Sequence, residues 1–166
     1  MRIPVRSGRT FRVDSPADHA LVTLDLAREL ERVLEKFGMD TGNNDRFRVG
    51  IFFKPGIFGH HKVGRAVDIY AVGGLGLDKW KRLWDEARHR CSCIPNLAER
   101  RAMLEHEQER NMGWRLYKAL QTCGEWSKPI GYPIQLFGPW TRSEGPWKQI
   151  SNFLLKAHRD HIHVAK

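Results

Sequence analysis

The sequence predicts a single α+β domain, in which helices pack on one face of a small, mainly antiparallel sheet. Three observations lead to this prediction. The chain has 166 residues, a length that suits one domain with a sizeable core. Alternating apolar and polar residues predict short strands, above all at 65–72 and 161–164. Apolar residues at helical spacing predict helices before and between these strands. No repeat or linker divides the chain, so the domain is expected to span residues 1–166.

The first predicted helix runs from Ser15 to Gly38. Ser15 suits the N-cap, Pro16 suits the first helical position, and Gly38 is expected to end the helix. Its apolar positions recur every three or four residues and should pack in the core: Leu26, Leu30, Val33, Leu34 and Phe37.

A helical insertion is predicted over residues 78–124. Asp78 is the expected N-cap of its first helix, whose apolar stripe comprises Trp80, Leu83, Trp84 and Ala87. A longer helical stretch follows from about 97 to 123, with an interruption near 111–113 and an end at Gly124. Further predictions are a strand at 133–137 and a last helix that includes Leu154 and Ala157. Three residues are expected either to border a cleft or to belong to the core: Trp140, Thr141 and Arg142.

Two of the predicted strands carry metal-binding side chains on one face. Side chains alternate along a strand, so Asp68 faces away from Val67, Ile69 and Ala71, and His163 faces away from Ile162 and Val164. If these strands pair, His61, Asp68 and His163 converge on one point. Two imidazoles and one carboxylate are a ligand set for zinc that leaves a position open for water, as catalytic zinc sites do. We therefore expect Zn²⁺ as the cofactor.

Two further residues beside this site have side chains suited to catalysis. The carboxylate of Asp160 can take a proton from water, and His161 can hydrogen-bond a developing oxyanion or a substrate carboxylate. Each residue also has a simpler interpretation, because a lone histidine is more often a surface or hydrogen-bonded residue than a ligand. His60 competes with His61 as a ligand.

The pattern His61-x-x-Gly64-x-Ala66-x-Asp68, followed by Asp160-His161-x-His163, resembles that of the M15 peptidases. These are zinc D-Ala-D-Ala carboxypeptidases and peptidoglycan endopeptidases that share a fold with the hedgehog signalling domain. The resemblance covers about a dozen residues.

By this resemblance the zinc ligands are His61, Asp68 and His163, the general base is Asp160, and His161 is an active-site histidine that does not bind the metal. His158 is similar in position to a further histidine of some members. The family also uses an upstream arginine near the scissile carbonyl, for which Arg48 is the candidate and Arg46 the alternative. Gly59 stands where the family commonly has serine.

The resemblance implies zinc-dependent hydrolysis of peptidoglycan stem peptides by a D,D-carboxypeptidase or an endopeptidase, such as a phage-type lysin. One alternative is an inactive metal-binding or cell-wall-binding module of the same fold. The other, which we consider weaker, is a basic nucleic-acid-binding protein, suggested by the segment 80–84 with Arg88 and Arg90 nearby.

Charge and hydropathy restrict the surroundings in which the chain works. The net charge of +9 favours polyanionic surroundings, such as bacterial envelopes. No apolar run approaches the ~20 residues of a membrane span. We find no secretory signal, and expect a monomer that is made in the cytoplasm and acts at the bacterial wall after release or delivery. Three cysteines form no disulfide framework, and we expect them to be reduced.

Overall fold

Six helices and six short strands make up the described part of the chain. The computed structural model describes residues 12–13, 23–40, 49–52, 59–62, 64–128, 134–142 and 151–166. In chain order the elements are β1 (Arg12–Val13), α1 (Leu24–Asp40), β2 (Val49–Phe52), α2 (Gly59–Lys62), β3 (Ala66–Val72), β4 (Leu75–Gly76), α3 (Leu77–Ser92), α4 (Leu97–Arg110), α5 (Met112–Cys123), β5 (Leu136–Phe137), α6 (Asn152–Ala157) and β6 (Ile162–Ala165).

The strands form one sheet in the order β1-β2-β3-β6-β5, with β4 paired to β3. Every pairing is antiparallel except that between β1 and β2. The predicted class, α+β with a small and mainly antiparallel sheet, is therefore confirmed. β3 is central and pairs with β6, so the two strands that carry the candidate ligands are neighbours.

One face of the sheet packs against the helices. Val67, Ile69, Ile162 and Val164 are fully buried there, in a single apolar cluster. The helical residues of that cluster come from α1, α3 and α5, among them Leu30, Trp84, Leu116 and Leu120. The first and last helices of the predicted insertion, α3 and α5, cover the face opposite to Asp68 and His163, because that is where their apolar stripes are buried.

Helix α1 buries all five of the predicted core residues. It begins at Leu24, where the hydroxyl of Thr23 accepts a hydrogen bond from the Leu26 N–H at 3.4 Å. The predicted cap at Ser15 and Pro16 lies outside the described residues. The predicted end at Gly38 is wrong, because α1 continues to Asp40. A glycine within a helix costs only about 1 kcal/mol relative to alanine, which the packing of this helix outweighs.

The insertion contains three helices, and the predicted break between the last two is confirmed at Asn111. The Asn111 side chain accepts from the Trp114 N–H at 2.8 Å and donates to the Trp80 carbonyl at 2.9 Å. In α3 two details of the prediction are wrong. Asp78 lies in the first turn, after the cap position at Gly76, and Leu83 is 45% exposed.

The buried stripe of α3 runs instead through Leu77, Trp84, Ala87 and Cys91. α4 buries none of its residues, as expected of its charged sequence. Trp140 and Thr141 belong to the interior, and Arg142 is exposed. The three cysteines are free. None of the described helices is both long and apolar enough to cross a lipid bilayer.

Candidate metal centre

The pairing of β3 with β6 places Asp68 directly opposite His163. On either side, Val67 pairs with Val164 and Ile69 pairs with Ile162. These apolar pairs face the helices, so the alternation of the two strands turns Asp68 and His163 toward the other face. The predicted convergence of the two strands is therefore confirmed.

The alternation predicted for β3 does not continue beyond Ile69. In the register with β2, Gly50 pairs with Ala71 and Ile51 pairs with Ile69, so Tyr70 has no partner. Such a bulge shifts the alternation by one residue. Val72 is consequently fully buried, whereas Ala71, which we expected on the apolar face, is only half-buried.

His61 reaches the site from a helical turn, α2, which precedes the strand that carries Asp68. The turn closes when the Gly64 N–H donates to the His61 carbonyl at 3.2 Å and the Arg65 N–H donates to the His60 carbonyl at 2.8 Å. Gly64 has φ of 69°, which explains why glycine suits this position between the ligand and β3. Because the chain reverses here, His61 lies over the strand that carries Asp68.

Three side-chain atoms form a small triangle at the centre of the site. The Nδ1 atom of His163 lies 2.9 Å from the Oδ1 atom of Asp68, and the Nε2 atom of His61 lies 3.4 Å from the same oxygen. The two ring nitrogens are 3.1 Å apart. Tetrahedral ligands at zinc-like distances lie ~3.3 Å from one another. The triangle is therefore close to the size that a metal ion requires.

Hydrogen bonds leave one of the three contacts unfavourable. A proton on the Nδ1 atom of His163 can be shared between the Asp68 oxygen and the Nε2 atom of His61, but these two acceptor atoms then face each other at 3.4 Å. A cation accepts lone pairs from all three atoms at once. His61, Asp68 and His163 can therefore hold a metal ion, and they are the one such group found among the described residues.

The carboxylate of Asp68 is kept ionised by its surroundings. Burial alone would raise its pKa, but hydrogen bonds and charge interactions with His163 and His61 hold the pKa well below its usual value. An ionised carboxylate beside two imidazoles is the state that a metal ion needs.

Asp160 and His161 form a pair beside the triangle. The Nδ1 atom of His161 is 2.8 Å from the Oδ1 atom of Asp160, and its Nε2 atom is 3.8 Å from the Oδ1 atom of Asp68. His161 immediately precedes β6 and does not belong to the group of three ligands. The Asp160 side chain is 64% exposed, so water and substrate have access to its second oxygen.

His158 packs behind the site and is held in a defined tautomer. Its Nδ1–H donates to the Leu154 carbonyl at 2.8 Å, and its ring lies 5.4 Å from that of His163 and 4.9 Å from that of His161. Burial lowers the pKa of His158 to about 4, and the neighbouring histidines add to this effect. His158 is therefore neutral near pH 7.

The buried ring of Phe137 is a neighbour of the site that the sequence did not point to. Its centroid lies 5.3 Å from that of His158 and 6.1 Å from that of His163. The only signal in the sequence was an aromatic residue at the end of a predicted strand.

Of the other candidate residues, two lie outside the described ranges and one lies within them. Arg48 and Arg46 lie outside the described residues, so the predicted substrate-binding arginine stays a prediction. His60 is half-buried next to His61, but it is not one of the three converging ligands.

Comparisons with protein-family models, with curated proteins and with solved structures find no match to this chain.

Proposed function

We propose that the chain is a zinc-dependent hydrolase that cleaves peptide bonds in peptidoglycan stem peptides. The observation that supports this most is the converging triad of His61, Asp68 and His163, with the Asp160–His161 pair beside it. The two nitrogens and one oxygen are a donor set that zinc accepts readily. Three protein ligands leave a coordination position for water or substrate, which structural zinc sites lack.

When bound, zinc would act as a Lewis acid toward the scissile carbonyl and would lower the pKa of a water ligand. The remaining chemistry requires a proton acceptor near that position. Asp160 holds His161 through one carboxylate oxygen, which leaves the other oxygen to accept a proton from water and pass it to the leaving amine.

His161 has a separate role in the proposed reaction. With its Nδ1–H donated to Asp160, its Nε2 atom is directed toward the ligand Asp68. In the protonated ring this nitrogen can stabilise the negative charge that develops on the carbonyl oxygen of the substrate. The ring of His158 packs against those of His161 and His163 and would fix their orientation.

The substrate class rests on the resemblance to the M15 peptidases and on the net charge of +9, which suits an anionic bacterial wall. Both D,D-carboxypeptidase and endopeptidase action fit the site, and a phage-type lysin acting after release or delivery is one context.

The test is mass spectrometry of the products released from purified peptidoglycan, with and without a chelator. We expect a defined peptide cleavage that chelation abolishes and added zinc restores. If the protein binds one zinc ion per chain and cleaves no wall type, the proposal of a hydrolase is wrong. A metal-binding module of the same fold would then be the better interpretation.

A further inference from the structure

A second concave surface lies on the helical side of the molecule, away from the metal centre. It is formed by α3, α4 and α5 together with the chain at 140–142. Since α3 and α5 pack on the sheet face opposite to Asp68 and His163, this groove is separate from the candidate metal centre. Its polar lining includes Arg88, Gln108, Lys118, Gln121 and Arg142, and its aromatic lining includes Trp114.

The charge of this groove has one sign. Three of its lining residues are cations, namely Arg88, Lys118 and Arg142, and none of the described residues that line it is acidic. The side chain of Arg88 is exposed and makes no hydrogen bond or ion pair with any residue of the described ranges. A neighbouring groove along α4 and α5 shares Lys118 with this one but differs in its charge, because Glu105 and Glu109 also line it. The first groove is therefore complementary to an anionic ligand.

The uncharged polar lining of the groove suits a ligand that carries hydroxyl groups. Trp114 is partly exposed and stacks on Trp84 with ring centroids 5.4 Å apart, and the Lys118 ammonium lies 5.5 Å from the centroid of Trp114. The Oε1 atom of Gln121 accepts from Lys118 at 2.9 Å, which leaves the amide N–H groups of Gln121 as donors. Amide groups hydrogen-bond hydroxyl groups, so Gln108 and Gln121 suit a ligand that carries hydroxyls.

We propose that this groove binds a short acidic segment of a carbohydrate chain. Arg88 and Lys118 pair with its carboxylate or phosphate groups, and the glutamines hydrogen-bond its hydroxyls. A single-stranded nucleic acid fits less well, because base stacking requires open aromatic faces. Three of the four lining rings are almost fully buried: Trp84 (5%), Tyr117 (3%) and Trp140 (6%). This proposal is independent of the proposed hydrolase activity.

The experiment compares two probes with the same sugar backbone, dextran sulfate and neutral dextran. Binding to the complete protein is measured by isothermal titration calorimetry at low salt. We expect dextran sulfate to bind and neutral dextran to bind at least about tenfold more weakly. Arg88→Gln should weaken the binding of dextran sulfate by about fivefold, as expected for the loss of one favourable exposed ion pair.

Arg82→Gln is the matched control, because Arg82 is an exposed arginine of the same helix that does not line the groove. It removes the same charge and should change the affinity by less than about twofold. Equal losses in Arg82→Gln and Arg88→Gln would mean that only net charge attracts the probe, and the proposal would be overturned.

Two further measurements separate the remaining outcomes. Asp68→Asn should bind dextran sulfate as the unaltered protein does, since the metal centre takes no part. Tighter binding of a single-stranded oligonucleotide that also depends on Arg88 would replace the carbohydrate by a nucleic acid. Failure of dextran sulfate to bind at all would also overturn the proposal, whatever the protein does to peptidoglycan.

Discussion

Zinc binding should raise the melting temperature of this protein, and Asp68→Asn should remove most of that rise. A ligand that binds only the folded state at 100 times its dissociation constant stabilises it by about 2.7 kcal/mol. For a chain of 166 residues, 1 kcal/mol corresponds to about 2–4 °C, so the expected shift is about 5–11 °C.

The expected loss of zinc affinity in Asp68→Asn follows from the geometry of the three ligand atoms. The Oδ1 atom of Asp68 is the one anionic atom among the three, and it lies within 3.4 Å of both ligand nitrogens. Removing a residue that hydrogen-bonds to a metal ligand weakens metal binding by about 10–100-fold. Removing a charged ligand itself should therefore weaken zinc binding by at least about 100-fold. At the same zinc concentration the stabilisation then falls to about 0.4 kcal/mol, and the shift falls to about 1 °C.

The assay is thermal unfolding of chelator-treated protein, before and after zinc is added. Asp85→Asn is the matched control. Asp85 is an exposed aspartate of α3 that pairs with Lys81, and α3 packs on the sheet face opposite to the proposed ligands. It should keep the full shift. If Asp68→Asn keeps the shift as well while its metal-free form unfolds normally, zinc binds elsewhere and the proposed ligand set is wrong.

The remaining predictions concern the proton-transfer pair, the pH dependence and one helix cap. Asp160→Asn should keep the zinc-induced shift and lose at least about 100-fold in turnover, as measured by product mass spectrometry; normal turnover would exclude Asp160 as the base. Hydrogen bonds from Arg32 and the Glu125 N–H outweigh burial and lower the pKa of Glu29. The folded-state pKa of Glu29 lies below the unfolded value of 4.5, so the stability that Glu29 contributes is fully present above pH 4.5 and is lost as the pH falls through the folded-state pKa. Denaturant titrations of Glu29→Gln should therefore show a smaller loss of stability below pH 4.5 than those of the unaltered protein. Asn111→Ala should lower the free energy of unfolding by about 2 kcal/mol, because Asn111 is a buried helix cap whose side chain also donates to the Trp80 carbonyl, and the substitution removes both hydrogen bonds. A loss no greater than the ~1 kcal/mol expected for the exposed cap residue in Asn96→Ala would contradict this account.

The sequence could predict that Asp68 and His163 lie together because the residues that bury β3 and β6 also fix where these two side chains point. The apolar positions Val67, Ile69, Ile162 and Val164 alternate with Asp68 and His163, and this alternation is a local property of each segment. Pairing the two strands through their buried faces then leaves one face for both ligands. The break at Asn111 was predictable for a similar reason, since asparagine and glycine there oppose a continuous helix.

Other features depend on contacts between segments that are distant in the sequence, and these contacts cannot be inferred from one segment alone. The bulge at Tyr70 arises from the register with β2, and no pattern within 66–72 marks it. The helical turn that carries His61 has only four residues, too few to show a period. The cationic groove is assembled from three helices and the segment at 140–142, so Arg88 and Arg142 show no relation to each other in the sequence.

The rigidity of the metal centre comes from the core beneath it. A slip of one residue between β3 and β6 would place an apolar side chain opposite Asp68 and turn His163 toward the helices. It would also expose two side chains that are now fully buried, Ile162 and Val164. Each contributes about 1.5–3 kcal/mol by burial, so the slipped register is disfavoured by several kcal/mol before the cost of burying an imidazole is added. The spacing between Asp68 and His163 is thus held by the apolar pairs. Binding of a metal ion therefore does not have to offset the entropy lost in ordering these two of its three proposed ligands. His61, on its short turn, is the ligand whose position zinc binding should order most.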